Sequence, residues 1–349
     1  MTEFVLSEFQ SLALPKHPGQ GVRAEIARAR TFLLSLVSNL MIHKITRLQA
    51  DALLLFAAIV WGFAFVAQKA GMVGLGPLGF IGIRFSLSAL FILPFFLGER
   101  SEARERPKLD KQDWLVALAL VGSCALGVYL QQVALLTTTV TNSGFLSATY
   151  VVMVPVAGLL IFRHLQSFIV WPACLIVLAG VYLLNGASLS RFALGDWLTL
   201  LCAVSFAFQI NFMGIIVRRT NRPFLICMIE NLVCAAAGLV LGALTEGIHL
   251  SGVIANAGPL LYAGLISGGI GFGLQAFAQQ HTPSSDAAII LSGQALFAAA
   301  GGCIFLHEVL GPVNWLGCTL IFAAILLVQL FPFVQTRLRA KAAPPFLNH

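Results

Sequence analysis

The sequence predicts an all-α polytopic membrane protein, with ten transmembrane helices arranged as two inverted five-helix repeats. Three observations carry that prediction. Of the 349 residues, 58% are hydrophobic and only 10% charged, against about 25% charged in a soluble domain, and the mean hydropathy is +0.90. Apolar stretches of the roughly 20 residues that cross a hydrocarbon core recur from residue 50 onwards. The second part of the chain then repeats the first at a fixed offset.

The ten spans are predicted at 52–70, 78–98, 114–134, 139–162, 168–186, 194–216, 223–244, 258–280, 284–306 and 312–333. The first carries Trp61 and Gln68 and stops at GLGP (74–77). The second carries Arg84 and runs into the charged stretch ERSEARERPKLDKQD (99–113). Further on, NRP (221–223), HTPSSD (281–286) and LGP (310–312) separate later spans. Such proline, glycine and polar clusters end helices. In the eighth span, Gly264, Gly268 and Gly271, with Gly269 and Gly273, form small-xxx-small faces that predict close helix packing. GFGLQAF in that span is not a dinucleotide motif, since no strand precedes it.

The net charge of +7 follows from the excess of Lys and Arg on cytoplasmic segments rather than from nucleic-acid binding. With both termini cytoplasmic, 18 of the 21 Lys and Arg fall on inner segments. Residues 1–50 form an extension, either disordered or interfacial. Arg23, Arg28 and Arg30 before TFLLSLVSNLMI resemble signal-peptide regions, but no small-x-small cleavage site follows, and translation from Met41 is an equal alternative. Residues 334–349 are read as a cytoplasmic tail. The seven cysteines all lie in apolar spans without metal-ligand spacing, so they read as packing residues, and no metal or other cofactor is expected.

Residues 141–184 align without a gap to 285–328, at an offset of 144. Asn142 falls on Asp286, Tyr150 on Gln294, His164 on Glu308, Trp171 on Trp315, Gln131 on Gln275 and Gly127 on Gly271. Two more residues of shift place Pro77 on Pro223 and Arg84 on Glu230. The repeats are therefore 51–186 and 194–333. Five spans in each is an odd number, so equivalent helices cross in opposite directions. Secondary transporters often have this organisation, with the site near the midplane between repeats.

Polar residues inside the spans are the candidate site. Arg84 lies seven residues into its helix, roughly 10 Å deep. It either snorkels to the outer interface or attracts an anionic group. Glu230 is its mirror and the proton-coupling candidate, because withdrawal from water favours a neutral carboxyl; its alternative is a helix–helix hydrogen bond. No ion pair between the two is implied. Trp61, Gln68, Tyr129, Gln131, Tyr150, Gln209, Gln275 and Gln294 are the other cavity candidates. Gln132 and Asn211 are amides in the spans too, and each amide alone is more often a helix contact. Asn142 and Asp286 read as N-caps. Together the amides and rings suit an uncharged or zwitterionic solute with an apolar part.

The chain resembles the drug/metabolite transporter superfamily, specifically the EamA-type permeases, over about residues 51–333. The resemblance rests on IVWGFAFVAQKAG (59–71), GPLGFIGIRF (76–85), YLQQVALLTTTVTNSGFLSA (129–148) and HEVLGPVNWLGCTLIFAAILL (307–327). One departure is His164, where the family usually has Glu. The resemblance implies a non-enzymatic carrier of small organic metabolites, such as amino acids or related compounds, often working outward. It also implies a bacterial inner (plasma) membrane location. The expected partners are the small-molecule substrate and the lipid bilayer; monomer and homodimer both fit. Two other classes compete. A lipid-linked glycan flippase would need basic residues for a diphosphate, and the spans offer only Arg84 and Lys69. An intramembrane lipid-modifying enzyme would need clustered carboxylates or histidines, and here they are scattered.

Overall fold

The computed structural model describes residues 45–102, 108–161, 163, 167–184, 193–307 and 309–342. Most of the predicted N-terminal extension and the His164/Glu308 pair lie outside them. Every regular element among the described residues is helical. Eight helices are long and apolar enough to cross a membrane. They are α1 (Arg47–Ala70), α2 (Pro77–Glu102), α3 (Lys111–Ala134), α4 (Val140–Leu160), then, after a shorter helix α5 (Val170–Leu184), α6 (Leu194–Thr220), α7 (Pro223–Thr245), α8 (Ala257–Ala278) and α9 (Ser284–Leu306). A final helix, α10 (Pro312–Ala342), begins with a short apolar stretch, Pro312–Val328. Of the ten expected spans, eight are thus met in full among the described residues, and α5 and the apolar part of α10 are shorter apolar helices there.

Local chemistry sets several boundaries. Thr46 and Gln49 form a capping box at the start of α1, and Asp110 and Asp113 do the same for α3. The Asp113 backbone N–H, and after it the Arg219 guanidinium, hold the Asp110 carboxyl below the usual carboxylate range. Pro223 opens α7 at a position where no N–H is needed. Asn221 ends α6 in the left-handed region, which asparagine tolerates. Asn142 and Asp286 are not the caps that their positions suggested. Thr139 caps α4 and accepts from the Asn142 N–H at 3.0 Å, while Asp286 receives the Arg47 guanidinium.

Two helices are broken, at equivalent places. α4 divides between Ser147 and Tyr150, and α9 between Leu291 and Gln294. In α4, Pro155 removes a backbone N–H. The Val151 carbonyl that it leaves open accepts the Cys174 thiol from α5 at 3.2 Å.

The packing obeys a two-fold relation between repeats. α3 packs on α6 as α8 packs on α1, and α1 packs on α9 as α6 packs on α4. The α2–α7 and α5–α10 pairs map onto themselves. α2 and α7 cross through glycines, and a Cβ on Gly238 would stand 2.4 Å from the Gly82 nitrogen. Only glycine lets these two backbones meet.

Each of these two helices also caps the other. Glu99, near the end of α2, accepts from the N–H groups of Phe224 (3.1 Å) and Leu225 (2.7 Å). Glu246, just past α7, accepts from Leu78 (3.1 Å) and Gly79 (3.0 Å). The pair is therefore antiparallel, as an inverted repeat requires. Carboxylates satisfy the orphan donors at a helix start and oppose its dipole. Replacing Glu246 by alanine is expected to destabilise the fold by about 1 kcal/mol. A lowered thermal midpoint of the purified protein, with glutamine partly restoring it, is the check.

Candidate functional site

A cavity of about 50 Å³ lies at the centre, walled by α1, α2, α3 and α4 of the first repeat and α6, α8 and α9 of the second. The structure brings Trp61, Gln68, Arg84, Gln131, Tyr150, Gln209, Gln275 and Gln294 around it. Tyr129 is elsewhere. It is 40% exposed and borders an apolar crevice with Leu126 of its own helix and Leu241 of α7. Residues two apart on a helix point about 200° apart, so Gln131 and Tyr129 could not share the wall.

The aromatic walls repeat with the fold. The Trp61 indole donates to the Ser267 carbonyl at 3.0 Å. It sits where a Cβ on Gly271 would lie 2.4 Å from its nitrogen. Gly127, the repeat equivalent of Gly271, gives way in the same manner to Phe206, with 3.0 Å to the ring. Phe65 and Phe272 complete the apolar lining, and the Trp61 and Phe272 rings are 5.1 Å apart. Over Tyr262–Phe272 the helix α8 is a π-helix. That rare winding turns Ser267 and Phe272 inward, and it favours functional sites. Neither it nor the phenylalanines carry a sequence signal, so they were missing from the candidates.

The polar residues divide into two sets. Gln209, Glu230 and Gln275 close on one another: Gln209 Nε2 donates to Glu230 Oε1 at 2.9 Å, and Gln275 Nε2 donates to Gln209 Oε1 at 3.1 Å. Glu230 is fully buried behind these amides, and its Oε2 has no hydrogen-bond partner among the described residues. The other set is open. Among the described residues the side chains of Arg84, Gln131, Tyr150 and Gln294 make no hydrogen bond, and neither does Gln68 Oε1. Arg84 is 5% exposed, so it does not snorkel to the interface. It lies instead against Phe85, 4.8 Å from the ring centroid. Two amides take the simpler role: Gln132 donates to the Gln68 carbonyl and Asn211 to the Val154 carbonyl, at 3.1 Å each.

Matched polar contacts close the two ends. At the end where α1 begins, Thr282 donates to Asp51 at 2.7 Å, and Arg47 reaches both Asp51 and Asp286. At the opposite end, Thr138 donates to Asp196, and Lys69 donates to the Thr138 carbonyl. Thr138 and Thr282 are repeat equivalents at the offset of 144, and Asp51 and Asp196 differ by one residue more. The repeat register therefore pointed to both contacts, although polar residues near helix ends ordinarily read as caps.

Known proteins resemble this chain along most of its length. The model of the EamA-like transporter family matches residues 48–186 and 193–330. A protein of Archaeoglobus fulgidus described as an uncharacterized transporter is 30% identical over 289 residues, covering 82% of this chain and 87% of that protein. One solved structure, described only as a crystal structure of a protein, aligns with a TM-score of 0.62 at 17% identity. It covers 81% of this chain and 99% of that one, a likeness that speaks for the fold alone.

Proposed function

The chain belongs to the EamA-like transporter family, and from that premise we propose that it is a secondary transporter exporting small organic metabolites, such as amino acids or related compounds. It works by alternating access between its inverted repeats. In this reading α5 and α10 complete ten spans, both termini are cytoplasmic, and the location is a bacterial inner membrane. The observation that carries the reading is the central cavity. It lies between the repeats and presents open polar side chains in a setting where an unsatisfied polar group is costly. Its volume holds only a handful of waters, at roughly 10–15 Å³ each. A metabolite therefore needs the helices to part, and the matched contacts at both ends are the natural gates.

Lipid-linked glycan flipping finds less support. The cavity wall offers one cation, Arg84, while Lys69 is engaged with the Thr138 carbonyl. An intramembrane enzyme finds less still, since the family whose model matches is a family of transporters.

The test compares extracellular metabolites of cells overexpressing the chain with cells expressing the Gln131→Ala, Gln294→Ala double variant at equal membrane levels. At least one metabolite is expected to accumulate outside the former, and its export to fall roughly tenfold or more in the latter, as loss of two ligand hydrogen bonds implies. Equal export from both would take the cavity off the path. No difference from cells lacking the chain would remove the exporter reading.

A further inference from the structure

The two repeats are unequal at their most polar positions. In the second repeat, Glu230 and Gln275 are tied together through Gln209. Their first-repeat counterparts, Arg84 and Gln131, make no hydrogen bond among the described residues and face the cavity. Arg84 is nine-tenths buried, with a partnerless Nε and no carboxylate within ion-pair distance among the described residues. Its contact with the Phe85 ring offsets only part of what a guanidinium loses on leaving water. No Asp or Glu lines the cavity, so Arg84 is the one charged group on its wall, and the buried Glu230 lies behind Gln209.

Resting on the transporter reading above, we infer that the transported solute bears a carboxylate, and that the carboxylate binds the Arg84 guanidinium. The planar fork of arginine matches a carboxylate through paired hydrogen bonds. A single guanidinium balances one negative charge, which favours a carboxylate over a phosphate dianion. Gln131, Tyr150 and Gln294 supply both donors and acceptors for the remaining polar groups, and Gln68 Oε1 is a ready acceptor for an ammonium or hydroxyl group. The Trp61, Phe206 and Phe272 rings suit an apolar part. A monocarboxylate or an amino acid therefore fits, and an uncharged amide or an amine does not.

The test uses the purified full chain and matched probes: the proteinogenic amino acids, their N-acetyl derivatives and their carboxamides. Thermal stabilisation by at least one acid is expected, with no effect from its carboxamide. Arg84→Gln should raise the half-saturating concentration of that acid roughly 10- to 100-fold. Arg84→Lys should raise it less and keep the preference for acid over amide, which separates anchoring from misfolding; size-exclusion profiles check both variants. A carboxamide that stabilises as well as its acid, an acid unaffected by Arg84→Gln, or a panel in which no acid stabilises would each overturn the inference. The export comparison stands apart. Exported metabolites that all lack a carboxylate would overturn the anchor and leave the transporter, whereas acid binding without export would do the reverse.

Discussion

Replacing Glu230 by glutamine is expected to abolish proton-driven accumulation of substrate while leaving substrate exchange intact. Glu230 is the fully buried carboxylate one layer behind the cavity, and Gln209 and Gln275 stand between it and the solute. Glutamine keeps the shape and the oxygen that accepts from Gln209, but it cannot take up or release a proton. A carboxylate in this setting is held between two states: charged and accepting from Gln209, or neutral and donating through its free Oε2. We propose that changing state alters what Gln209 and Gln275 present to the cavity, which would link a proton to the solute. The thiols of Cys124 in α3 and Cys227 in α7 both interact with Glu230, and Cys124→Ala serves as the control. Proteoliposomes with an imposed pH gradient measure accumulation, and preloaded vesicles measure exchange. Accumulation should fall to the level set by the substrate gradient alone, with the exchange rate preserved. Unchanged accumulation would remove Glu230 from coupling. Loss of both modes would assign it a structural role.

Much of the candidate site was legible because the repeat supplies a second reading of each position. Gln131 and Gln275, and Tyr150 and Gln294, are matched at the offset of 144 and meet around one cavity. Trp61 and Gln68 share a wall because seven residues make nearly two helical turns. The failures have physical causes. Tyr129 has suitable chemistry, but its helical phase turns it to the outer crevice. The π-winding of α8 leaves no mark in hydrophobic periodicity, so Ser267 and Phe272 were hidden. Glu99 and Glu246 looked like charges at span edges, and only the antiparallel crossing of α2 and α7 makes them reciprocal caps.

The second large effect concerns the two ends. Asp51→Asn weakens the contact at the end where α1 begins, and Asp196→Asn weakens its counterpart at the opposite end. A hydrogen bond to a charged group is worth about 1.5–3 kcal/mol. Asparagine still accepts from the threonine, at about 1–1.5 kcal/mol less, so if the ends open alternately each substitution shifts one shared equilibrium by roughly 5- to 10-fold, in opposite directions. Thr138 and Thr282 sit at the loops between α3 and α4 and between α8 and α9, well placed to report which end is open. The added Arg47–Asp286 contact has no charged match on the other side, where Asn142 is the equivalent of Asp286.

The most direct measurement labels a cysteine introduced at Gln131, in the cavity wall, with a membrane-impermeant thiol reagent applied from either side of oriented vesicles. The seven native cysteines are buried or half-buried and free of disulfides, and the parent protein measures their background. Alternating access predicts that Asp51→Asn raises labelling from the cytoplasmic side and lowers it from the outside, while Asp196→Asn does the opposite. Labelling that rises from the near side without falling on the far side would contradict the account, because the two ends would then open independently.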